Sequence, residues 1–192
     1  AYWDEAMNMF GRVLTQASEQ DLKEMLTERF TDPMQLGEWS WWSEDSLNGI
    51  PIRFGSTGIE MNALQLARFG YLFLNNGNWD GKQLISQNWV EHATSAQVPR
   101  DIELADTDRK SSDGRGIYGF NWWVNGIKPD GSRSMPNTPE NTFYASGFNN
   151  NMCFVIPEWN MVVVRMGLDG NPPEGKAFVY DQFFASLSQA MD

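Results

Sequence analysis

Cysteine and histidine occur once each in the 192 residues, and those two scarcities remove several chemistries. One thiol cannot close an internal disulfide, and Cys153 with His92 falls short of any Cys/His metal set, so no metal and no cofactor is expected. A single histidine, in a segment that reads as a short surface helix, leaves no Ser-His-Asp relay within the chain. Cys153 is embedded in Met152-Cys153-Phe154-Val155-Ile156, the setting of a buried, unreactive thiol. Long apolar runs are missing too: no stretch approaches the roughly eighteen residues of a membrane-spanning helix. The opening Ala1-Tyr2-Trp3-Asp4 lacks the basic-then-apolar pattern of a signal peptide. A soluble chain is expected, with no compartment assigned. Positive charge is scarce, 14 Lys+Arg against 25 Asp+Glu, and a net charge of −11 repels phosphate backbones and anionic headgroups. Nucleic-acid and membrane partners are therefore not expected.

What is present suffices for a packed domain: 41% of residues are hydrophobic and 14% aromatic, in a chain near the usual size of one folding unit. Residues 4–15 repeat apolar side chains at helical spacing, and Leu22, Met25 and Leu26 continue into a second helix that Asp32-Pro33 ends. Residues 37–58, rich in Trp and Gly, read as a long irregular loop of the kind that walls a site. Asn62 predicts the N-cap of a third helix, stopped by Asn76-Gly77. After a turn at Asp80-Gly81, residues 86–93 predict a short fourth helix, and residues 99–116 a polar surface loop. The second half changes character. Residues 118–124, 142–145, 152–156 and 161–166 are short aromatic or β-branched runs divided by turn residues, with 152–156 and 161–166 as the firmest hairpin; residues 177–190 close as an amphipathic helix. Helices, then strands, then a covering helix predict an α+β fold.

In this order the motifs resemble the serine β-lactamase-like and penicillin-binding-protein family, especially its class C, esterase and amide-hydrolase branches. Tyr2-Trp3-Asp4 is similar to that family's Y-x-N element, and Asp32-Pro33-Met34-Gln35-Leu36 to its dPLGM turn. The run Ala67-Arg68-Phe69-Gly70-Tyr71-Leu72 with Asn76-Gly77-Asn78-Trp79-Asp80-Gly81-Lys82 resembles its ARFG…L..G.W.G segment and is the most specific match. Tyr118-Gly119-Phe120-Asn121-Trp122-Trp123 resembles the YG.gWW strand, and Phe143-Tyr144-Ala145-Ser146-Gly147 the K-T-G strand, returning through Ile156-Pro157 and Val162-Val163-Val164-Arg165. The resemblance implies an antiparallel sheet flanked by helices, incomplete on its N-terminal side. Residues 1–192 are then the C-terminal part of one catalytic domain, mostly helical with long loops over 1–116, with antiparallel strands and the last helix over 117–192.

The resemblance also implies a serine in S-x-x-K, whose lysine takes the hydroxyl proton as the serine attacks an acyl carbon. No S-x-x-K occurs; Thr107-Asp108-Arg109-Lys110 has the spacing but the wrong chain order. The nucleophile is expected in a missing N-terminal segment, and the 192 residues alone are expected to be inactive. Tyr2 is the implied proton carrier, and its phenol, pKa about 10 unperturbed, needs a nearby cation for that work. Asp4 replaces the asparagine of Y-x-N and is either a partner for the missing lysine or an N-cap of the first helix. Gly147 falls where a side chain would obstruct substrate, and the backbone N–H of Phe148 is the implied oxyanion-hole donor. Ala145 stands at the K-T-G lysine position, which removes a charge for a substrate carboxylate and favours ester or neutral amide substrates.

Ser146 is a candidate donor to substrate, and Asn149, Asn150 and Asn151 either line a pocket or build a turn. Trp41, with Trp39, Trp42, Trp122 and Trp123, belongs either to a wall above the site or to packing. Arg68 is expected to pair with a buried acid, and Arg165, at a strand end, to lie near the cleft. The expected partners are a small-molecule ester or amide, the missing segment, and a second copy through an exposed sheet edge. The alternative is a non-catalytic binding module that holds a sugar or peptide in a Trp-lined cleft.

Overall fold

The computed structural model describes residues 3–104, 113–167 and 176–191. Tyr2 and the Thr107 to Lys110 tetrad lie outside the described residues. Helix α1 (Asp4–Ser18) carries small residues on the face it packs: a Cβ on Gly11 would come within 2.9 Å of the Arg53 carbonyl oxygen. Helix α2 (Leu22–Leu26) runs into a π-helical turn, Thr27–Thr31. Asp21 caps α2 by accepting the Lys23 N–H and also pairs with Arg53, which fastens the helix to strand β3 (Ile50–Arg53). Burial works to raise the Asp21 carboxyl, but the Arg53 hydrogen bond, the Lys23 N–H and both positive charges outweigh it and hold the group below the usual carboxylate range.

Residues 37–58 are more regular than expected. Strand β1 (Ser40–Trp41) pairs with β4 (Ile59–Glu60), and β2 (Ser43–Leu47) forms a hairpin with β3. The hairpin turns on Asn48-Gly49 at φ 53° and 83°, the double left-handed geometry of a two-residue hairpin loop. Ser43-Glu44-Asp45-Ser46 offers no apolar alternation, so this strand owes its place to the turn rather than to pattern.

Helix α3 (Ala63–Leu74) opens on the expected cap: Asn62 accepts the Gln65 N–H, and the Gln65 side chain accepts the Asn62 N–H. Asn76-Gly77 stops it with left-handed residues, and Asp80-Gly81 turns the short pair β5 (Asn78–Trp79) and β6 (Lys82–Gln83). Ser86 caps α4 (Gln87–Ala93). Arg68 meets no acid among the described residues; its Nη1 donates to the Gln35 carbonyl at 2.6 Å, tethering α3 to the turn after Pro33.

The main sheet is fully antiparallel, in the order β10-β9-β8-β7: Met161–Arg165, Asn151–Ile156, Phe143–Gly147 and Trp123–Val124. The 152–156 with 161–166 hairpin is present, with Val163 opposite Phe154. Residues 118–124 were expected as one strand, but only Trp123 and Val124 pair, with Tyr118 bridging back to Trp123. The interruption is Asn121 at φ 60° and Gly119, whose Cβ would sit 2.1 Å from the Ala93 carbonyl oxygen. One sheet face packs Phe143, Val155 and Cys153 against Phe69 and Phe73 of α3. The other packs Phe154, Met152 and Ile156 against Phe184 of α5 (Lys176–Met191). Burial pushes the Cys153 thiol up to about 12, as an inert core cysteine requires. No described helix is long and apolar enough to cross a membrane.

Below β7 one buried side chain ties several stretches of the chain together. Asn125 is fully buried; its amide donates to the Met135 and Pro139 carbonyls at 2.9 and 3.1 Å and accepts the Met135 N–H at 3.0 Å. Asn125→Leu leaves the Met135 N–H buried without its acceptor and takes one donor from each of the Met135 and Pro139 carbonyls, which keep Thr138 and Thr142, so unfolding free energy should fall by about 2 kcal/mol, read from denaturant midpoints at unchanged slope.

Candidate functional site

The β8–β9 end gathers the second group of candidate residues. Register sets Ala145 opposite Cys153, Ser146 opposite Met152 and Gly147 opposite Asn151. Strand β7 reaches only Phe143 and Tyr144, so the other edge of β8 is uncovered by it from Ala145 onward. Alternation places Gly147 on the α3 side with Phe143 and Ala145, and Ser146 on the α5 side with Tyr144. Packing does not demand glycine at 147: a Cβ would meet nothing nearer than the Asn151 carbonyl oxygen at 3.4 Å. The strand then breaks into a 3₁₀ turn, Phe148–Asn150, closed by the Asn151 N–H donating to the Phe148 carbonyl. Asn149 and Asn150 both take left-handed φ, 56° and 60°, and so build the turn. Asn151 starts β9, and its Oδ1 accepts the Gly167 N–H at 3.0 Å. Phe148 projects from the turn with 84% of its surface exposed, and no acceptor among the described residues takes its backbone N–H.

Asp4 lies in a second place, a cavity of about 300 Å³ lined by Trp3, Asp4, Ala6 and Met7 of the α1 start, Gly55 and Ser56 after β3, and Tyr118 and Asn121. Trp3 occupies the N-cap position without a side-chain cap, so Asp4 is the first helical residue and the N-cap alternative is not realised. A carboxylate in the first turn is favoured there by the helix dipole. The Asn8 Oδ1 accepts both the N–H and the hydroxyl of Ser56 at 3.1 Å, which fixes the loop after β3 over the first turns of α1. Ser56 thus donates to an amide oxygen rather than to a base.

The two places are joined by rings. Tyr118, on the cavity, meets Trp123 edge-on at 4.8 Å, and Trp123 stacks on Tyr144 at 6.4 Å, two residues before Ser146. Burial pushes the Tyr144 phenol up to about 12, so it stays protonated near neutral pH. Trp41 is not among the residues lining the cavity: its indole N–H donates to the Phe54 carbonyl at 2.8 Å, and its ring lies 6.4 Å from Trp39. His92 is on the exposed side of α4, with Nδ1 2.8 Å from the Asn88 carbonyl oxygen. No cluster of metal-ligating side chains occurs among the described residues.

Ser56, Tyr118 and Asn121 were not anticipated as cavity residues. Ser56 is far in sequence from Tyr118 and Asn121, and the one local signal is Asn121 in the Gly-Phe-Asn interruption of an apparent strand.

No protein-family model matches the sequence. An uncharacterized protein of Alkalihalophilus pseudofirmus is 25% identical over 161 residues, which is 84% of this chain and 43% of that protein. Among solved structures, a proposed 6-aminohexanoate-dimer hydrolase from Bacillus anthracis superposes with a TM-score of 0.68 at 21% identity, over 99% of this chain and 43% of its own. A β-lactamase from Mycobacterium bovis gives 0.67 at 15% identity, over 99% of this chain and 63% of its own. A penicillin-binding-protein homolog from Caulobacter crescentus gives 0.61 at 15% identity, over 94% and 55%. The chain has the β-lactamase and penicillin-binding-protein-like fold, and it spans less than half the length of the A. pseudofirmus and B. anthracis proteins.

Proposed function

We propose that these residues are part of a serine hydrolase that works through an acyl-enzyme, with the nucleophile supplied by an S-x-x-K segment outside the 192. The observation that carries this reading is the Phe148 N–H, a donor that no described residue accepts, directly after a glycine that packing does not require. In the proposed reaction the serine oxygen bonds to the acyl carbon while the lysine takes its proton. The carbonyl oxygen gains the displaced electron pair and is held by the Phe148 N–H. Collapse expels the alcohol or amine, which takes a proton relayed by Tyr2, and water then cleaves the acyl-serine. Asp4 pairs with the lysine, and the uncharged Ala145 suits an ester or neutral amide substrate.

The same segment would also supply a strand to β10. That strand pairs only with β9 among the described residues and is half-buried along Met161–Arg165, so its outer edge is open to another strand or to a second copy.

Intact-protein mass spectrometry after exposure to a fluorophosphonate tests the scheme. The 192-residue chain alone should take no label; mixed with a polypeptide carrying the S-x-x-K segment, only the added serine should be labelled, and Tyr2→Phe should suppress it. Absence of label in both favours the binding-module reading, for which the cavity beside Asp4, with Trp3 and Tyr118 on its wall, is the supporting observation.

A further inference from the structure

Arg165 ends β10 opposite Met152, on the last rungs of the sheet beside the β8–β9 turn. Its Nη1 donates to the carbonyls of Asn149 at 2.7 Å, Asn150 at 3.0 Å and Gly167 at 3.3 Å. The first two belong to consecutive left-handed residues, a conformation that asparagine tolerates better than other side-chain-bearing residues but that two in succession keep more firmly when their surroundings impose it. One cation drawing both carbonyls inward is such an imposition, because a hydrogen bond from a charged donor is about twice as strong as a neutral one. Asn151 Oδ1, accepting the Gly167 N–H, ties the same turn to the chain leaving β10. The turn is therefore held from the neighbouring strand in addition to its own closing bond from the Asn151 N–H to the Phe148 carbonyl.

We infer that Arg165 is a positioning residue: it locks the Phe148–Asn150 turn so that the Phe148 N–H keeps a fixed direction at the end of β8. The inference rests on the oxyanion reading of that N–H and extends it, since Arg165 reaches the reacting atoms only through the turn. A carbonyl-binding cation at 165 is the requirement, so lysine should serve in part and an apolar side chain should not.

The test uses the ¹⁵N-labelled chain with Arg165→Met and Arg165→Lys, followed by amide hydrogen exchange and by the fluorophosphonate labelling rate in the mixture with the S-x-x-K polypeptide. Arg165→Met should speed exchange of the Asn151 N–H, which closes the turn on the Phe148 carbonyl, by about tenfold while Phe154 and Val155 keep their protection. Labelling should slow by about tenfold, and Arg165→Lys should recover much of both. Unchanged exchange at Asn151 in Arg165→Met would overturn the inference, as would faster exchange with an unchanged labelling rate. If the unsubstituted mixture takes no label, the hydrolase reading fails instead, and the exchange result alone decides whether Arg165 holds the turn.

Discussion

Replacing Phe148 with proline is expected to slow acylation of the assembled hydrolase by two to three orders of magnitude and to leave the fold intact. Proline removes one atom of consequence, the amide hydrogen. Position 148 opens a 3₁₀ turn, where the missing N–H breaks no helical bond, and no other described residue accepts it. Gly147 stands at ψ 175°, the extended conformation that a residue before proline prefers. Loss of one oxyanion donor elsewhere costs about 10² to 10³ in rate, and the fluorophosphonate, whose phosphoryl oxygen develops the same charge, should report it. Phe148→Ala is the control, since it keeps the N–H and removes only the exposed ring. An equal loss in Phe148→Ala would assign the effect to the ring, and an undiminished rate in Phe148→Pro would remove this N–H from the mechanism.

The elements legible in the sequence were those with local chemistry at both ends. Helix α3 had Asn62 to begin it and Gly77 to end it, and the β9–β10 hairpin had two apolar runs joined by four residues. The β2–β3 hairpin is hidden in the sequence because its first strand is polar, so that Asn48-Gly49, a strong turn signal, has no apolar run ahead of it to join. The 118–124 strand was overextended because Tyr118, Phe120, Trp122 and Trp123 look alike to a β-propensity argument. The turn inside it is set by a contact with Ala93 that spans the domain, where Phe120 N–H donates to the Ala93 carbonyl at 3.0 Å.

The candidate site divides in the same way. The β8–β9 end was legible because Ser146, Gly147, Phe148 and the three asparagines are contiguous. The Asp4 cavity was not, because its walls come from three distant segments. Arg68 shows a further limit: a lone arginine on an apolar helix face suggests a buried acid, yet a backbone carbonyl serves it equally well.

Gly55→Ala bears on both the fold and the Asp4 cavity and should carry a larger stability cost than Asn125→Leu. An added Cβ at 55 would lie 1.9 Å from the Met7 carbonyl oxygen and 2.6 Å from its carbon. Both are backbone atoms of α1, so no side-chain rotation relieves the overlap and the helix itself must move. Gly11 faces the same seam from the other side, and the Asp21–Arg53 pair fixes the end of β3 two residues before Gly55. The overlap therefore has few soft directions in which to dissipate. Overpacking of this kind costs about 3 kcal/mol, which at this chain length lowers the melting temperature by about 6 to 12 °C. Because Met7, Asp4 and Gly55 share the cavity wall, the displacement should also carry Asp4 away from Ser56 and lower acylation of the assembled hydrolase. Thermal melts with the fluorophosphonate rate measured well below the transition separate the two effects. A large fall in melting temperature with an unchanged rate would show that the α1–β3 seam supports the fold and that the position of Asp4 is immaterial to the chemistry.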